Sequence, residues 1–530
     1  MSRVQRNGDT NVASEDRHVT GAGLLWELSP AFVVAFLVSI LFSPGNVRFE
    51  TPVIPTIENF AATGRLGIDD VALASQGLFV KGTDGLYYPV HEFGATVAAL
   101  PVAKLLHAVP AIRRRGFRQL LELALCFQGA FYAGITAALF WYCLVHLLDV
   151  RRREATFATL GLSCGTQLLV YGGNAVDVML AVPMLLGCVA LLLSTERHPT
   201  LAKSFGLALL AGFVPFVKAS LGTYVAGVSI AWLALVLDLP ARLARRNARP
   251  ISRPVAHLAL YAAAIVPGAL SALAVNFRRT GNPLKFSYPW PMSQAFDFHR
   301  MVTSGLPGTF VSPGRGLFLF TPILLLVPWG FSQVWKRLPA QRLPLFASLF
   351  GFFCALAWLS GCWFWTSLGG WGIRYYVPYL PVLLLPLGCS LQWMTVAMRR
   401  VAGALCGLGF VVNASGTVTN YIGHFCAVGD YERPWELYNT PAYAVVCAFH
   451  NLERLVGINV PVVSCPGASE ISIQASNHLY TWWYSLRYFG LRPAFSTAIA
   501  VVLGAMAVSS VIAWVRRDVG SATELGAGRG

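Results

Sequence analysis

The chain has 530 residues, of which 55% are hydrophobic and only 12% are charged, and its mean hydropathy is +0.58. So little charge excludes a soluble protein of this length and indicates a polytopic membrane protein. The net charge of +16 comes from short arginine clusters between apolar segments. This pattern is typical of cytoplasmic membrane loops, and it argues against nucleic acid as a partner.

The apolar segments predict an all-α fold with about twelve transmembrane helices, within a range of roughly 11 to 13. A polar stretch at 1–25 is expected to be a cytoplasmic tail before an uncleaved first span. The predicted spans are 26–43, 119–148, 155–172, 178–194, 203–217, 220–237, 255–276, 316–334, 343–361, 375–393, 401–419 and 493–515.

A further apolar segment at 93–109 is barely long enough to cross a membrane and contains Pro101, Lys104 and His107. If it does not cross, five arginine-containing clusters fall on the cytoplasmic side and only Arg113 to Arg118 violates the positive-inside rule. If it crosses, the five clusters move outside. The charges therefore predict that 93–109 lies along the outer face as a juxtamembrane helix.

This topology divides the chain into parts and concentrates polar chemistry on the outer face. A transmembrane catalytic module spans 26–419, and its first outer loop covers 44–118. A cap segment at 420–490 lies on the outer face, the last transmembrane helix covers 491–517, and a cytoplasmic tail covers 518–530. The other outer segments are the turn 172–177, the loop 277–314 and the turn 362–374.

Two acidic residues at the outer face are candidate catalytic groups. Glu50 follows the first span, where a carboxylate could accept a proton from a hydroxyl at the membrane edge. A solvated loop carboxylate is the plainer interpretation. Asp177 begins a later span and could serve as a second carboxylate or a metal ligand, and it could equally cap that helix. A divalent cation, Mg²⁺ or Mn²⁺, is therefore possible.

Three cations at the same face are candidates for binding a phosphate: Lys218, Arg315 and Arg374. The planar guanidinium fork suits a lipid phosphate, although an arginine in an aromatic interfacial belt is also ordinary. Trp371 could stack on a sugar ring or anchor the interface. Together, carboxylates and cations that converge on one face suggest a site for an anionic, lipid-linked donor.

The sequence has no phosphate-binding P-loop, dinucleotide fingerprint or HExxH motif, so nucleotide and zinc-hydrolase chemistry are not supported. Its eleven cysteines lack metal-ligand spacing. Four of them fall in predicted loops, and a disulfide among the last three is possible, although the pairing cannot be derived from the sequence. They are Cys362, Cys426, Cys447 and Cys465.

The order of these pieces resembles the GT-C superfamily of integral-membrane glycosyltransferases, which includes aminoarabinose transferases and protein O-mannosyltransferases. The resemblance covers about 26–395 and rests on layout and short degenerate motifs. The motifs are Ala61 to Leu66, Asp84 to Gly94, Gly281 to Tyr288, Ser312 to Phe318 with Thr321 and Pro322, and Gly369 to Tyr375.

The resemblance implies transfer of a hexosyl or pentosyl group from a polyprenyl-phosphate donor to a lipid, glycan or protein hydroxyl, with inversion. It places the enzyme in a bacterial inner or plasma membrane, among membrane lipids, with its active site on the outer face. Glu50 matches the first-loop catalytic carboxylate, where many relatives carry Asp, and Asp177 matches the acidic residue of the second outer turn. The donor phosphate would meet Arg374, Lys218 or Arg315. The groove would be lined by Tyr88, His91, Glu92, Trp371 and Tyr288.

A lipid or solute transporter, or a flippase, is the alternative from a different functional class. Many transporters consist of repeated halves with broken spans at matching positions. The sequence shows no convincing internal repeat, and its predicted spans contain few ionisable residues. These features favour the transferase.

Overall fold

A computed structural model describes most of the chain. The described residues are 21–45, 53–69, 79–90, 93–173, 176–197, 199–237, 254–285, 296–362, 371–419, 445–446, 448–450, 453, 479, 481–486 and 491–527. The predicted cap at 420–490 therefore lies mostly outside them.

Helices dominate this part of the chain. The α-helices are Gly21–Leu41, Val53–Thr63, Gly94–Ala108, Pro110–Arg115, Phe117–Tyr142, Arg152–Cys164, Leu168–Gly172, Val176–Arg197, Leu201–Val217, Gly222–Val236, Pro254–Thr280, Phe298–Arg300, Leu306–Val311, Leu317–Phe320, Val327–Arg337, Arg342–Gly361, Leu380–Ser390, Val396–Val418, Trp482–Ser485 and Pro493–Ala527. The 3₁₀ segments are Ala219–Leu221, Pro322–Leu326, Pro339–Gln341, Arg374–Tyr379 and Leu391–Trp393, and the π-helical segments are Cys143–Leu147 and Met301–Gly305.

The prediction of an all-α polytopic protein is confirmed in its architecture, with one local addition. Within the described ranges, eight helices are long and apolar enough to cross a membrane. They are Ala22–Leu41, Phe117–Leu147, Val178–Glu196, Ala219–Val236, Pro254–Thr280, Pro339–Gly361, Val396–Val418 and Pro493–Asp518. The addition is a small antiparallel hairpin in the first loop, in which Phe79–Lys81 pairs with Tyr87–Pro89.

The predicted number of twelve spans is not confirmed as twelve continuous helices. The segment at 203–217 forms the single helix Leu201–Val217, which is short for a span. Those at 155–172, 316–334 and 375–393 form shorter α-helical and 3₁₀ pieces in series. Prolines such as Pro322 and Pro378 supply no backbone N–H group, so the chain changes helix type there although it stays apolar.

Partly buried ion pairs join several helices at one end of the bundle, which we call the Glu27 end. The Glu27 carboxylate accepts from Arg152 at 2.6 Å and lies 3.2 Å from the His146 ring. Arg517 of the last helix donates to the Glu27 carbonyl oxygen at 3.3 Å. Arg399 lies 3.9 Å from Glu154. The arginine clusters at 151–153, 399–400 and 516–517 therefore share one end, as the charge pattern predicted.

The first helix, Gly21–Leu41, begins near the Glu27 end and runs to the opposite end of the bundle. We call that opposite end the Ser43 end, after the residue that follows the helix. The Ser43 hydroxyl donates to the Gly173 carbonyl at 2.8 Å. The indole N–H of Trp482 donates to the Ile40 carbonyl at 2.9 Å. The turn before Asp177 and the start of the last helix are therefore at this end.

The helix Gly94–Ala108 lies across the Ser43 end. Gly94 touches the backbone of Val217, where the later helix Leu201–Val217 ends, and a methyl group at Gly94 would lie 2.5 Å from the Val217 Cα atom. At its other end, the His107 ring packs on Phe117, 5.6 Å between centroids, at the start of a span. Because both termini of the helix meet the same end of the bundle, the helix does not cross it.

The chain termini of the bundle differ from the predicted boundaries. The first helix begins at Gly21, inside the segment predicted as a tail at 1–25. The last helix continues to Ala527, and the part of it that is apolar enough to cross a membrane ends at Asp518, next to the predicted span end at 517.

Candidate functional site

Lys218 and Arg374, two of the predicted phosphate ligands, flank one aromatic ring at the Ser43 end. Lys218 ends the helix Leu201–Val217, and its side chain is 4% exposed. Its Nζ atom lies 5.7 Å from the centre of the Tyr375 ring, and the Arg374 guanidinium carbon lies 5.5 Å from the same centre. Both distances fit cation–π contacts. The structure thus brings together two cations that are far apart in the sequence.

A third cation, Arg279, lies at the same end of the bundle. It ends the helix Pro254–Thr280 and is 4% exposed. Its guanidinium carbon is 4.6 Å from the centre of the Phe93 ring. Phe93 precedes Gly94, which touches the residue before Lys218. The N-terminus of Gly94–Ala108, with its partial positive charge, therefore neighbours the ends of the two helices that carry Arg279 and Lys218.

The sequence prediction did not include Arg279 among the site residues. A signal for it was present, because Arg278 and Arg279 form a basic pair at the end of a span opposite to the other clusters. An arginine at that position breaks the positive-inside pattern, and ionisable residues at the edge of a span often mark functional sites.

The first-loop hairpin is tied to the backbone beside Arg279. The Thr83 N–H and hydroxyl groups both donate to the Arg278 carbonyl, at 2.9 and 3.1 Å. The Tyr88 hydroxyl donates to Asp84 at 2.6 Å, and Asp84 lies 3.6 Å from the Arg278 guanidinium. Tyr88 also packs toward Phe93, with 6.2 Å between ring centres. The hairpin thereby fixes one wall of the cationic region.

The hydrogen bond between Tyr88 and Asp84 affects the ionisation of both groups. It holds the pKa of Asp84 below its ordinary value. Burial, followed by the same hydrogen bond, raises the pKa of Tyr88 to about 12. An Asp with a lowered pKa stabilises the folded state above its unfolded pKa, and this contribution is lost as the pH falls through the folded value.

Replacing Tyr88 with phenylalanine is therefore expected to bring the pKa of Asp84 back toward its ordinary value. The thermal unfolding midpoint should fall between pH 6 and pH 3 by less in Tyr88→Phe than in the wild type, because the pair is already lost. Intrinsic tryptophan fluorescence in detergent measures it. Asp84→Asn should weaken the pH dependence of the unfolding midpoint by the same amount. The double variant Tyr88→Phe/Asp84→Asn should weaken it no further. An unchanged pH dependence in Tyr88→Phe would contradict this assignment.

Trp371 is a packing residue of the bundle interior. Its indole is 1% exposed and donates to the Asn413 side chain at 3.2 Å. Its carbonyl oxygen accepts from Gln167 at 2.9 Å and from the Tyr171 hydroxyl at 3.2 Å. These contacts anchor the segment that leads to Arg374. The side chain is packed inside the bundle, and its contact with a sugar stays a prediction.

Arg315 is buried near this segment. It lies in the turn between Leu306–Val311 and Leu317–Phe320, and its side chain is 2% exposed. The following helix packs Phe320 edge-on against Trp371, with ring centres 5.1 Å apart. Arg315 thus precedes a helix that packs against the segment leading to Arg374.

Several of the predicted site residues lie outside the described ranges. They are the candidate base Glu50 and the groove candidates His91, Glu92 and Tyr288. The backbone of Asp177 lies in the first turn of Val176–Arg197, next to Gly173, whose carbonyl accepts from Ser43. Asp177 is therefore at the Ser43 end, as predicted from the sequence.

Within the described residues, no group of three His, Cys, Asp or Glu side chains could hold a metal ion. The carboxylates considered as ligands lie outside this search. Cys362 is a free, buried thiol that donates to the Trp358 carbonyl at 3.3 Å. Cys426, Cys447 and Cys465 lie outside the described residues.

Comparisons with known proteins give a weak structural similarity. No family model and no curated protein matches the chain. A crystal structure of ArnT from Cupriavidus metallidurans bound to undecaprenyl phosphate aligns with a TM-score of 0.47 and 14% identity, over 95% of this chain and 79% of that chain. The apo structure gives 0.46 and 15%, over 94% and 77%. A likeness at this level carries no argument about function.

Proposed function

We propose that this protein is an integral-membrane glycosyltransferase that uses a polyprenyl-phosphate-linked sugar donor. The observation that carries the proposal is the convergence of Lys218, Arg374 and Arg279 at one end of the bundle. Lys218 and Arg279 are buried and Arg374 is half-buried, and positive charge gathered at a membrane boundary attracts anionic ligands. A lipid phosphate matches this region in charge and in location, since its polyprenyl chain stays in the bilayer.

The cations are arranged to bind charge that grows during the reaction. In a single displacement, the acceptor oxygen attacks the anomeric carbon and the bond from that carbon to the phosphate oxygen breaks. The electron pair leaves with the polyprenyl phosphate, and the configuration inverts. Lys218 and Arg374 stabilise the departing phosphate. Arg279, beside the N-terminus of Gly94–Ala108, adds positive charge to the same region.

The acceptor hydroxyl must lose a proton, and Glu50 is the proposed base. It follows the first helix, which ends beside Ser43 at the same end of the bundle as Lys218. Asp177 is the second candidate because it starts a helix at this end. A divalent cation could assist the leaving phosphate if these carboxylates supply its ligands. Chelation with EDTA and addition of Mg²⁺ or Mn²⁺ tests that role.

The remaining parts of the proposal follow from location. We propose the outer face for the site, and the position of the arginine-rich Glu27 end opposite the Ser43 end supports this. The acceptor would be a lipid, glycan or protein hydroxyl on that face, and the transferred group a hexose or pentose. A bacterial inner or plasma membrane would supply the polyprenyl donor.

Transfer of radiolabelled sugar from a panel of undecaprenyl-phosphate donors tests the proposal. Membranes that contain the wild type are expected to transfer label, and Glu50→Gln at matched expression is expected to lose at least about 100-fold. Glu122→Gln is the control, since Glu122 pairs with Arg118 on the surface of a span. Full transfer by Glu50→Gln would move the base to Asp177. Donor lipid that crosses the membrane without transfer would support a flippase instead.

A further inference from the structure

A basic and apolar surface lies beside the candidate site at the Ser43 end. It belongs to the helix Gly94–Ala108 and to the short helix Pro110–Arg115 that follows it. One side of the longer helix is buried through alanines at spacings of four residues, Ala95, Ala99 and Ala103. They pack against residues of Val53–Thr63 and Phe117–Tyr142, which include Val53, Ile54, Ile57, Ala61, Leu121, Leu125 and Cys126.

The opposite side of the helix is open and mostly apolar, and it also carries Lys104, whose ammonium group donates to the Ala61 carbonyl at 3.0 Å. Val97 is 42% exposed, Leu105 71% and Val109 42%. In the next helical turns, Arg113 and Arg114 are exposed as well. We call the surface formed by Val97, Leu105, Val109, Arg113 and Arg114 the amphipathic shoulder. An apolar face next to arginines is typical of helices that lie in a membrane interface.

The excess positive charge of the shoulder belongs to Arg113 and Arg114. The neighbouring Arg118 forms an ion pair with Glu122 at 3.3 Å, and it is also within electrostatic reach of Glu58. Arg118 is therefore already compensated. This charge is located at the Ser43 end, whereas the clusters that contain Arg152, Arg399 and Arg517 are at the Glu27 end.

We propose that the amphipathic shoulder binds anionic phospholipid head groups of the leaflet at the Ser43 end. Acyl chains would cover Val97, Leu105 and Val109, and the head-group phosphates would meet Arg113 and Arg114. Each arginine near an anionic membrane surface strengthens binding roughly fivefold. The adjoining span exposes Leu120 and Phe131 at 41% and 46%, so apolar surface continues into the bilayer.

This inference is independent of the sugar-transfer proposal. It accounts for Arg113 and Arg114, exposed arginines at the end opposite to the clusters that contain Arg152, Arg399 and Arg517, where the positive-inside rule does not explain them. Bound lipid would also hold Gly94–Ala108 flat against the bundle, with its N-terminus beside Val217 and Phe93 at the candidate site.

Hydrogen–deuterium exchange of the full-length protein in nanodiscs tests the inference. Nanodiscs of phosphatidylcholine alone are compared with nanodiscs that contain phosphatidylglycerol. Peptides from 94–120 are expected to exchange at least about fivefold more slowly with phosphatidylglycerol, and high salt should remove this protection because it screens surface charge. Inorganic phosphate added to phosphatidylcholine nanodiscs should not reproduce this protection. A free phosphate ion has no acyl chains that hold it at the membrane surface beside Arg113 and Arg114.

Matched variants separate the shoulder from general charge effects. The protection should disappear in Arg113→Gln/Arg114→Gln and persist in Arg153→Gln/Arg400→Gln, which removes two exposed arginines from segments at the Glu27 end. Leu105→Ser should weaken it by an intermediate factor. Equal exchange in both lipids, or protection that survives in Arg113→Gln/Arg114→Gln, would overturn the inference.

Discussion

Sugar transfer is expected to fall by on the order of 100-fold when Lys218 is replaced with glutamine, because one charge on the departing phosphate loses its counterion. The effect should appear in kcat more than in KM, since the phosphate gains charge only as its bond to the sugar breaks. Lys218→Arg should recover part of the activity, because a guanidinium keeps the charge with a different shape. Steady-state transfer assays on purified protein at matched amounts measure this.

Lys203→Gln is the matched control for that experiment. Lys203 lies in the first turn of the helix that Lys218 ends, and its Nζ atom donates to the Ser194 carbonyl at 2.9 Å. It therefore belongs to the opposite end of the bundle. Removing it should leave transfer unchanged within about twofold. If Lys218→Gln and Lys203→Gln behave alike, Lys218 has no role at the phosphate.

Segment length explains why the long helices could be predicted from the sequence. A run of about 20 apolar residues has few alternatives in a membrane, since every backbone polar group must be paired internally. The ends of those runs and the interrupted runs were predicted less well. Hydropathy gives the same value to a continuous helix and to Leu317–Phe320 followed by Pro322–Leu326, which differ only in local backbone geometry.

The candidate site could be predicted in part for a similar reason. Lys218 and Arg374 stand out in the sequence because each is a lone charge at the edge of an apolar run. Their common contact with Tyr375 is tertiary and could not be predicted from spacing. Arg279 was missed because it ends a span as one member of a basic pair. The burial of Trp371 depends on Asn413 and Gln167, which come from distant helices.

Gly268→Ala is expected to have the second large effect, on stability and on transfer together. A methyl group at Gly268 would lie 2.2 Å from the carbonyl carbon of Gly212, on the facing helix Leu201–Val217. Atoms cannot approach so closely, so the two helices must separate. These helices end at Lys218 and Arg279, and their separation would move the two cations apart.

Two opposing effects decide whether Gly268→Ala stabilises or destabilises the folded protein. Alanine favours a helix over glycine by about 1 kcal/mol, which would stabilise the protein if space allowed. Overpacking of a close backbone contact costs roughly 1–3 kcal/mol or more, and here the contact is backbone on both sides. We therefore expect a lower thermal unfolding midpoint in Gly268→Ala, together with reduced transfer at a temperature where the variant is still folded.

Gly504→Ala makes the same chemical change where no atom lies within 4 Å of the added methyl group. Gly504 lies within the helix Pro493–Ala527, so this variant should be as stable as the wild type or more stable. Thermal unfolding followed by tryptophan fluorescence compares the two variants. A midpoint for Gly268→Ala at or above that of Gly504→Ala would mean that the Gly212–Gly268 contact does not hold Lys218 and Arg279 in place.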